Sequence, residues 1–249
     1  MKSKATVCLD GFSVFNFEKE NCRVFLKGSM HIRSGKADTA DWIKFLVDRL
    51  FLADSDFKDF FLSELAGISG LFSIVIEKDE QYFIAGDIIR CYPVFYGYNS
   101  KGLFVTDNIG LNYKQLGPLQ LDNDKLEEYV ASGFVYWNGT FYKNVYALQA
   151  AELVVISGNE VTSERYFSFK PAQKLYNLTN FSDFVRDFDE VLYSTFKRMI
   201  EQTPNVNRWV VPLSGGHDSR IIVNYFYKLG VKNVICYSYG MPGNVQSGI

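Results

Sequence analysis

The chain has 249 residues, room for one large or two small domains, and its 47% hydrophobic content supports a packed core and excludes a disordered chain. Net charge is −2, from 26 basic and 28 acidic residues, a balance that argues against nucleic acid or an anionic membrane surface as partner. Four cysteines without metal-ligand spacing and only two histidines argue against zinc, and thiols without a signal peptide point to the cytoplasm.

In chain order, residues 6–17 and 23–32 read as two strands, with a turn at 19–21. Residues 42–52 have a helical period: Ile43, Leu46, Val47, Leu50 and Phe51 share a face, and Asp38 or Thr39 is placed to cap it. Residues 56–65 make a second helix. The stretch 70–77 is almost wholly apolar, as in a strand covered on both faces. Residues 82–85, 94–98 and 103–106 continue the sheet, with a hairpin turn at 99–102. Asp87 and Arg90 between them read as an i, i+3 surface pair. Residues 125–131 read as a short helix, and 153–157 with 161–169 as a hairpin around Gly158-Asn159. Strands in runs with helices in a block predict a layered α+β architecture.

Residues 170–180 have no period and contain Pro171, which sets a domain boundary: 1–170, a linker at 171–180, and 181–249. Phe181, Phe184, Val185, Phe188, Val191, Leu192, Phe196 and Met199 then mark an amphipathic helix that stops before Pro204.

The chemistry concentrates in Leu213-Ser214-Gly215-Gly216-His217-Asp218-Ser219. An apolar strand, 209–213, feeds a glycine turn and a helix at 218–229; a strand at 233–237 completes a parallel βαβ unit. Pro212 removes a ladder donor, but at the strand's C-terminal end. A helix N-terminus entered this way presents unpaired N–H groups and positive potential to an anion. Gly215 and Gly216 let the backbone approach closely and permit positive φ. Ser214 and Ser219 add hydroxyl donors. Asp218 would repel an anion, so its simplest role is to hold Mg²⁺ that bridges bound phosphates. His217 reads as an exposed loop residue, and Arg220 as a partner for phosphate or a nearby carboxylate. No side chain is assigned as a catalyst.

The hexapeptide 214–219 resembles the SGGxDS pyrophosphate loop of the ATP pyrophosphatases. Residues 65–76 and 85–96 are similar to the "L-x-G-x-F-A-F-A-I-W" and "A-R-D-x-x-G-x-x-P-L-Y-Y" segments of class II glutamine amidotransferase domains. Residues 132–134, 139–141, 144–153 and 165–167 resemble the run that closes that domain in asparagine synthetases. The resemblance to the glutamine-hydrolysing asparagine synthetase family implies an αββα Ntn-type sandwich of mostly antiparallel sheets over 1–170. An incomplete α/β parallel-sheet PP-loop domain of the adenine nucleotide α-hydrolase type follows over 181–249. It implies an ATP- and Mg²⁺-dependent ligase of amino-acid biosynthesis that adenylates a small-molecule carboxylate, releases pyrophosphate, and forms an amide with ammonia or an amine. Leu213, Ser214, Gly215, Gly216, Asp218 and Ser219 would bind the nucleotide, with Asp218 on the metal. Ser238-Tyr239-Gly240 resembles the family's "F-S-x-G" segment, whose backbone meets the adenine; a strand running into a Gly-Met-Pro-Gly turn explains it equally.

The chain departs from that pattern at both ends. It begins Met1-Lys2-Ser3, where the amidotransferases use an N-terminal Cys; Cys8 would serve only after cleavage behind Val7. The glutamine-binding "N-G-E" and "R-G-P-D" segments have no counterpart. The first domain therefore reads as a structural relic of a glutaminase, as in β-lactam-synthetase-like relatives. Beyond residue 180 the sequence supplies two strands and two helices, where a doubly wound domain needs about four or five strands. A truncated or split protein is expected, completed by a further segment or a protein partner. A non-catalytic subunit or pseudoenzyme is the alternative to the ligase, and a hydrolase of the N-terminal-nucleophile type is disfavoured.

Overall fold

The computed structural model describes residues 5–17, 21–32, 39–52, 57–170 and 180–238. The chain divides into two compact units, Met1–Lys170 and Pro171–Ile249.

The first unit opens with β1 (Thr6–Cys8), β2 (Ser13–Phe17) and β3 (Cys22–Ile32), followed by helices α1 (Thr39–Phe51) and α2 (Phe57–Ala66). Strands β4 (Ile68–Lys78), β5 (Gln81–Gly86), β6 (Phe95–Asn99) and β7 (Gly102–Thr106) come next. Helices α3 (Ile109–Leu116) and α4 (Asn123–Ser132) precede β8 (Val145–Ala147), β9 (Glu152–Ser157) and β10 (Glu160–Arg165). One sheet has six strands in the order β10-β9-β5-β4-β3-β2, all antiparallel. The other has four, β1-β7-β6-β8, in which only β1 and β7 pair in parallel.

The strand period explains the layers. Along β4, Phe72, Ile74 and Ile76 face one way, with Val24 and Leu26 of β3 and Phe83 of β5, against Trp42, Ile43 and Leu46 of α1 and Phe61 and Leu65 of α2. Val75, Ile84, Val154 and Ile156 face the other way and meet Tyr96 and Val105 of the four-stranded sheet. The outer face of that sheet buries Phe104 and Val145 against Leu116 of α3. Helices, six strands, four strands and a helix thus form four layers. In the β3–β4 ladder, Gly28 (φ +99°) and Gly70 (φ +129°) admit no side chain: a Cβ would collide with the carbonyl oxygens of Leu71 and Ser29 respectively.

The sequence reading needs correction in three places. The strands at 94–98 and 103–106 do not continue the sheet of 82–85: β5 lies in the six-stranded sheet, and β6 and β7 in the four-stranded one. Residues 6–17 are not one strand: the chain breaks at Asp10-Gly11, with Gly11 at φ +69°, and β1 and β2 enter different sheets. Helix α3 has no counterpart in the sequence reading. Asn108 caps it, accepting from the Leu111 N–H at 3.0 Å, and it buries Asn112 and Leu116.

The second unit contains α5 (Phe181–Glu201), β11 (Trp209–Pro212), α6 (His217–Lys228) and β12 (Val234–Tyr237). β11 and β12 pair in parallel, from Trp209 with Val234 to Pro212 with Tyr237. Phe196 of α5 stacks on Tyr225 (5.1 Å between ring centroids) and meets Phe226 edge-on (6.0 Å). Lys228 pairs with the Asp189 carboxylate at 2.7 Å and the Tyr225 hydroxyl donates to it at 2.6 Å; Lys228 first and then Tyr225 hold it below the usual carboxylate range.

Candidate functional site

The loop of the second unit grows out of β11. Pro212 is the last strand residue, and the Leu213 N–H takes over by donating to the Tyr237 carbonyl at 2.7 Å. Ser238, just past β12, donates through Oγ to the Leu213 carbonyl at 2.8 Å. The end of β12 is thereby tied to the start of the loop. Ser219, in the first turn of α6, is buried. Its Oγ accepts from the Ser214 N–H at 3.2 Å and lies 3.3 Å from Ser214 Oγ, which in turn accepts from the Gly216 N–H at 3.2 Å. Both serine hydroxyls thus brace the loop from within. Arg220 donates to the Gly215 carbonyl at 3.2 Å.

Gly216 is the N-cap of α6 at φ −79°, ψ 168°, and no side chain caps the helix. The first-turn N–H groups therefore keep their capacity for an outside acceptor, which is what binds anions at a helix start. Neither Gly215 nor Gly216 sits at positive φ, contrary to one reason for expecting glycine there. Gly216 contributes close approach instead: a Cβ on it would lie 3.3 Å from Ser214 Oγ. His217 and Asp218 are exposed in the first turn of α6, and the Asp218 carboxylate has no partner among the described residues. Among those residues no group of three or more His, Cys, Asp or Glu could hold a metal ion. One carboxylate beside phosphates and waters is a donor set that suits Mg²⁺. Tyr239 and Gly240 lie outside the described residues.

The surroundings of Cys8 do not activate its thiol. Cys8 is buried at the end of β1 and donates through Sγ to Gln115 Oε1 at 2.8 Å. Burial first, then the charges of Asp10 and Asp107, push its pKa up, opposite to what a nucleophile needs. Asp87 is not part of a surface pair. It is 1% exposed, and its carboxylate accepts the N–H groups of Phe72 (2.9 Å), Ile89 (2.8 Å) and Cys91 (3.2 Å). It fixes the turn after β5 to β4, and Arg90 sits in that turn at φ +58°.

One further feature was invisible in the sequence. A cavity of about 530 Å³ lies among Ala5, Glu77, Tyr82, Tyr98 and the turns at Asp79 and Gly158. Glu77, buried at its wall, pairs with Arg23, and the Tyr82 hydroxyl donates to it at 3.5 Å. Only the alternation along β4 hinted that Glu77 faces inward with Val75.

Residues 59–167 match the family of glutamine amidotransferase domains. The match begins in α2 and runs through β10, so it lies wholly in the first unit. No curated protein matches the chain. Among solved structures the chain is similar to a glutamine phosphoribosylpyrophosphate amidotransferase from B. subtilis complexed with ADP and GMP. Identity is 12%, over 90% of this chain and 47% of that one, with a TM-score of 0.37. It is also similar to a structure described as the allosteric regulatory enzyme of purine biosynthesis, at 13% identity over 95% of this chain and 50% of that one, again with a TM-score of 0.37. The chain spans about half the length of these structures. No helix among the described residues is long and apolar enough to cross a membrane.

Proposed function

We propose that the chain is an amidotransferase-type protein in which ATP chemistry at the 213–219 loop, not thiol chemistry, carries the activity. The reaction is adenylation of a small-molecule carboxylate with release of pyrophosphate, then amide formation with ammonia or an amine, as in the asparagine synthetases it resembles. The observation that carries this reading is the helix start at Gly216: a strand feeds it, serines brace it, and no side chain caps it. In this reading residues 1–170 are a glutaminase-silent amidotransferase-like domain and 181–249 part of a nucleotide-binding domain, in a cytoplasmic protein.

The proposal gives each group a role. The N–H groups of the first α6 turn take phosphate oxygens. Ser214 and Ser219 hold that cradle in shape, and Ser238 locks the end of β12 against it. Asp218 holds Mg²⁺, which when bound neutralises charge on the phosphates. Cys8, protonated and bonded to Gln115, takes no part.

Calorimetric titration with Mg·ATP and with Mg·pyrophosphate tests this. Asp218→Asn is expected to weaken binding by about 1–3 kcal/mol, because a charged ligand becomes neutral. Unchanged affinity would remove Asp218 from the site. Failure of the unaltered chain to bind either ligand would favour the second reading, a non-catalytic subunit. That reading has its own support: a parallel strand pair is normally covered on both faces, and Val210 and Ile235 are exposed here. A partner that adds strands to β11–β12 would cover them.

A further inference from the structure

Helix α4 buries none of its residues. Its C-terminal half and the loop after it place Tyr129, Phe134, Tyr136 and Phe141 on the surface, with Tyr129 edge-on to Phe141 at 5.1 Å and Phe134 at 4.6 Å from Tyr136. Val130 is 85% exposed and Trp137 is 81% exposed. Trp137 is also held at φ +57°, a strained conformation for a bulky residue. A ring left in water gives the fold nothing to offset that strain.

The loop is nonetheless well fixed. Ser132 Oγ donates toward the carbonyls of Glu128 and Phe134, each at 2.8 Å, and the Tyr136 N–H donates to the Glu128 carboxylate. Lys125 pairs with Glu128 and packs against the loop, so a Cβ on Gly139 would lie 3.0 Å from Lys125 Cε.

Charge then distinguishes the partner. Of the four carboxylates on this segment, Asp122 caps α4 and Glu128 is tied to Lys125 and Tyr136. Asp124 and Glu127 are exposed and without partners among the described residues. Glu127 and Val130, three residues apart, share a helix face. We propose that this surface docks a basic, apolar segment of a protein partner: the rings take its apolar side chains, and Asp124 and Glu127 take its lysines or arginines. Aromatic anchors on a pre-set loop beside unpaired charge are the composition of a binding hot spot.

The test is calorimetry on the full chain with an amphipathic leucine–lysine peptide and its leucine–glutamate counterpart. The lysine peptide is expected to bind and the glutamate peptide not. Trp137→Ala should weaken binding about tenfold or more. Asp124→Lys with Glu127→Lys should do the same and flatten the salt dependence. The equal charge change Asp48→Lys with Asp59→Lys, at exposed positions on α1 and α2, should leave affinity unchanged. The proposal is overturned if the lysine peptide fails to bind, if Trp137→Ala binds as before, or if the remote pair weakens binding equally. A concentration-dependent dimer in sedimentation that Trp137→Ala dissolves would overturn it in favour of a second copy.

Discussion

Along β4, alternate residues are buried on both sides of the sheet, Phe72, Ile74 and Ile76 toward α1 and α2 and Val75 toward the second sheet. Along β11 and β12 only Val211 is buried, while Val210, Ile235 and Tyr237 stay exposed. The two regions have similarly apolar strands and differ in what covers them. At about 25 cal/mol per Å² of apolar surface, each uncovered side chain forgoes on the order of 1–2 kcal/mol. Stability is therefore concentrated in the first unit, and the 213–219 loop sits on the weaker one. Ligand-binding segments are commonly drawn from such low-stability regions.

Hydrogen exchange on the purified chain puts that contrast to its strongest test. Amides of Phe72 to Ile76 are expected to exchange about a thousandfold more slowly than those of Val210, Val211 and Ile235, a gap of roughly 4 kcal/mol in opening free energy. Equal protection in both strand sets, in a monomer, would show that the second unit needs no further cover.

A pair of truncations sharpens it. Phe61 is fully buried, stacked at 5.7 Å on Phe57. Phe61→Ala is expected to cost the first unit about 3–5 kcal/mol in urea titrations. Phe196, half-buried on α5, has the Tyr225 and Phe226 rings as close aromatic neighbours among the described residues. Phe196→Ala is expected to cost the second unit about 1–2 kcal/mol, in proportion to the area it covers. Equal losses would mean that exposure understates how tightly α5 and α6 are joined.

How much of this was legible in the sequence depends on how local the cause is. The apolar run of β4 and the period of α1 announced themselves, because alternation and helical spacing are written residue by residue. The strand–turn–helix order around Gly215-Gly216 was legible for the same reason. Helix α3 was not: Gly110 weakens its pattern, and the helix depends on the Asn108 cap and on packing against Phe104 and Val145. Asp87 was misread as a surface charge because no local pattern shows that amides from β4 and from its own turn converge on it. Likewise the inward turn of the Ser214 and Ser219 hydroxyls is a matter of rotamers, which composition leaves open.

The smallest expected effect uses pH to erode the stronger unit selectively. Burial, and then the charge of Glu77, push the Tyr82 hydroxyl up to about 12 from its ordinary value of 10; burial and Glu152 do the same to Tyr96. Below pH 10 both tyrosines are protonated in folded and unfolded chains alike, and their contribution is fully present. Between about pH 10 and 12 the unfolded chain releases their protons while the folded chain keeps them, so stability falls as pH rises. Each tyrosine then removes about 1.4 kcal/mol per pH unit. Tyr82→Phe should keep the packing and remove the titration, shallowing the alkaline slope by one tyrosine's share. Urea titrations of the first unit at pH 9, 10 and 11 (values on the order of the ordinary tyrosine range) read that slope directly. If the slope is the same in Tyr82→Phe, solvent reaches the Tyr82 hydroxyl through the cavity that it lines beside Glu77.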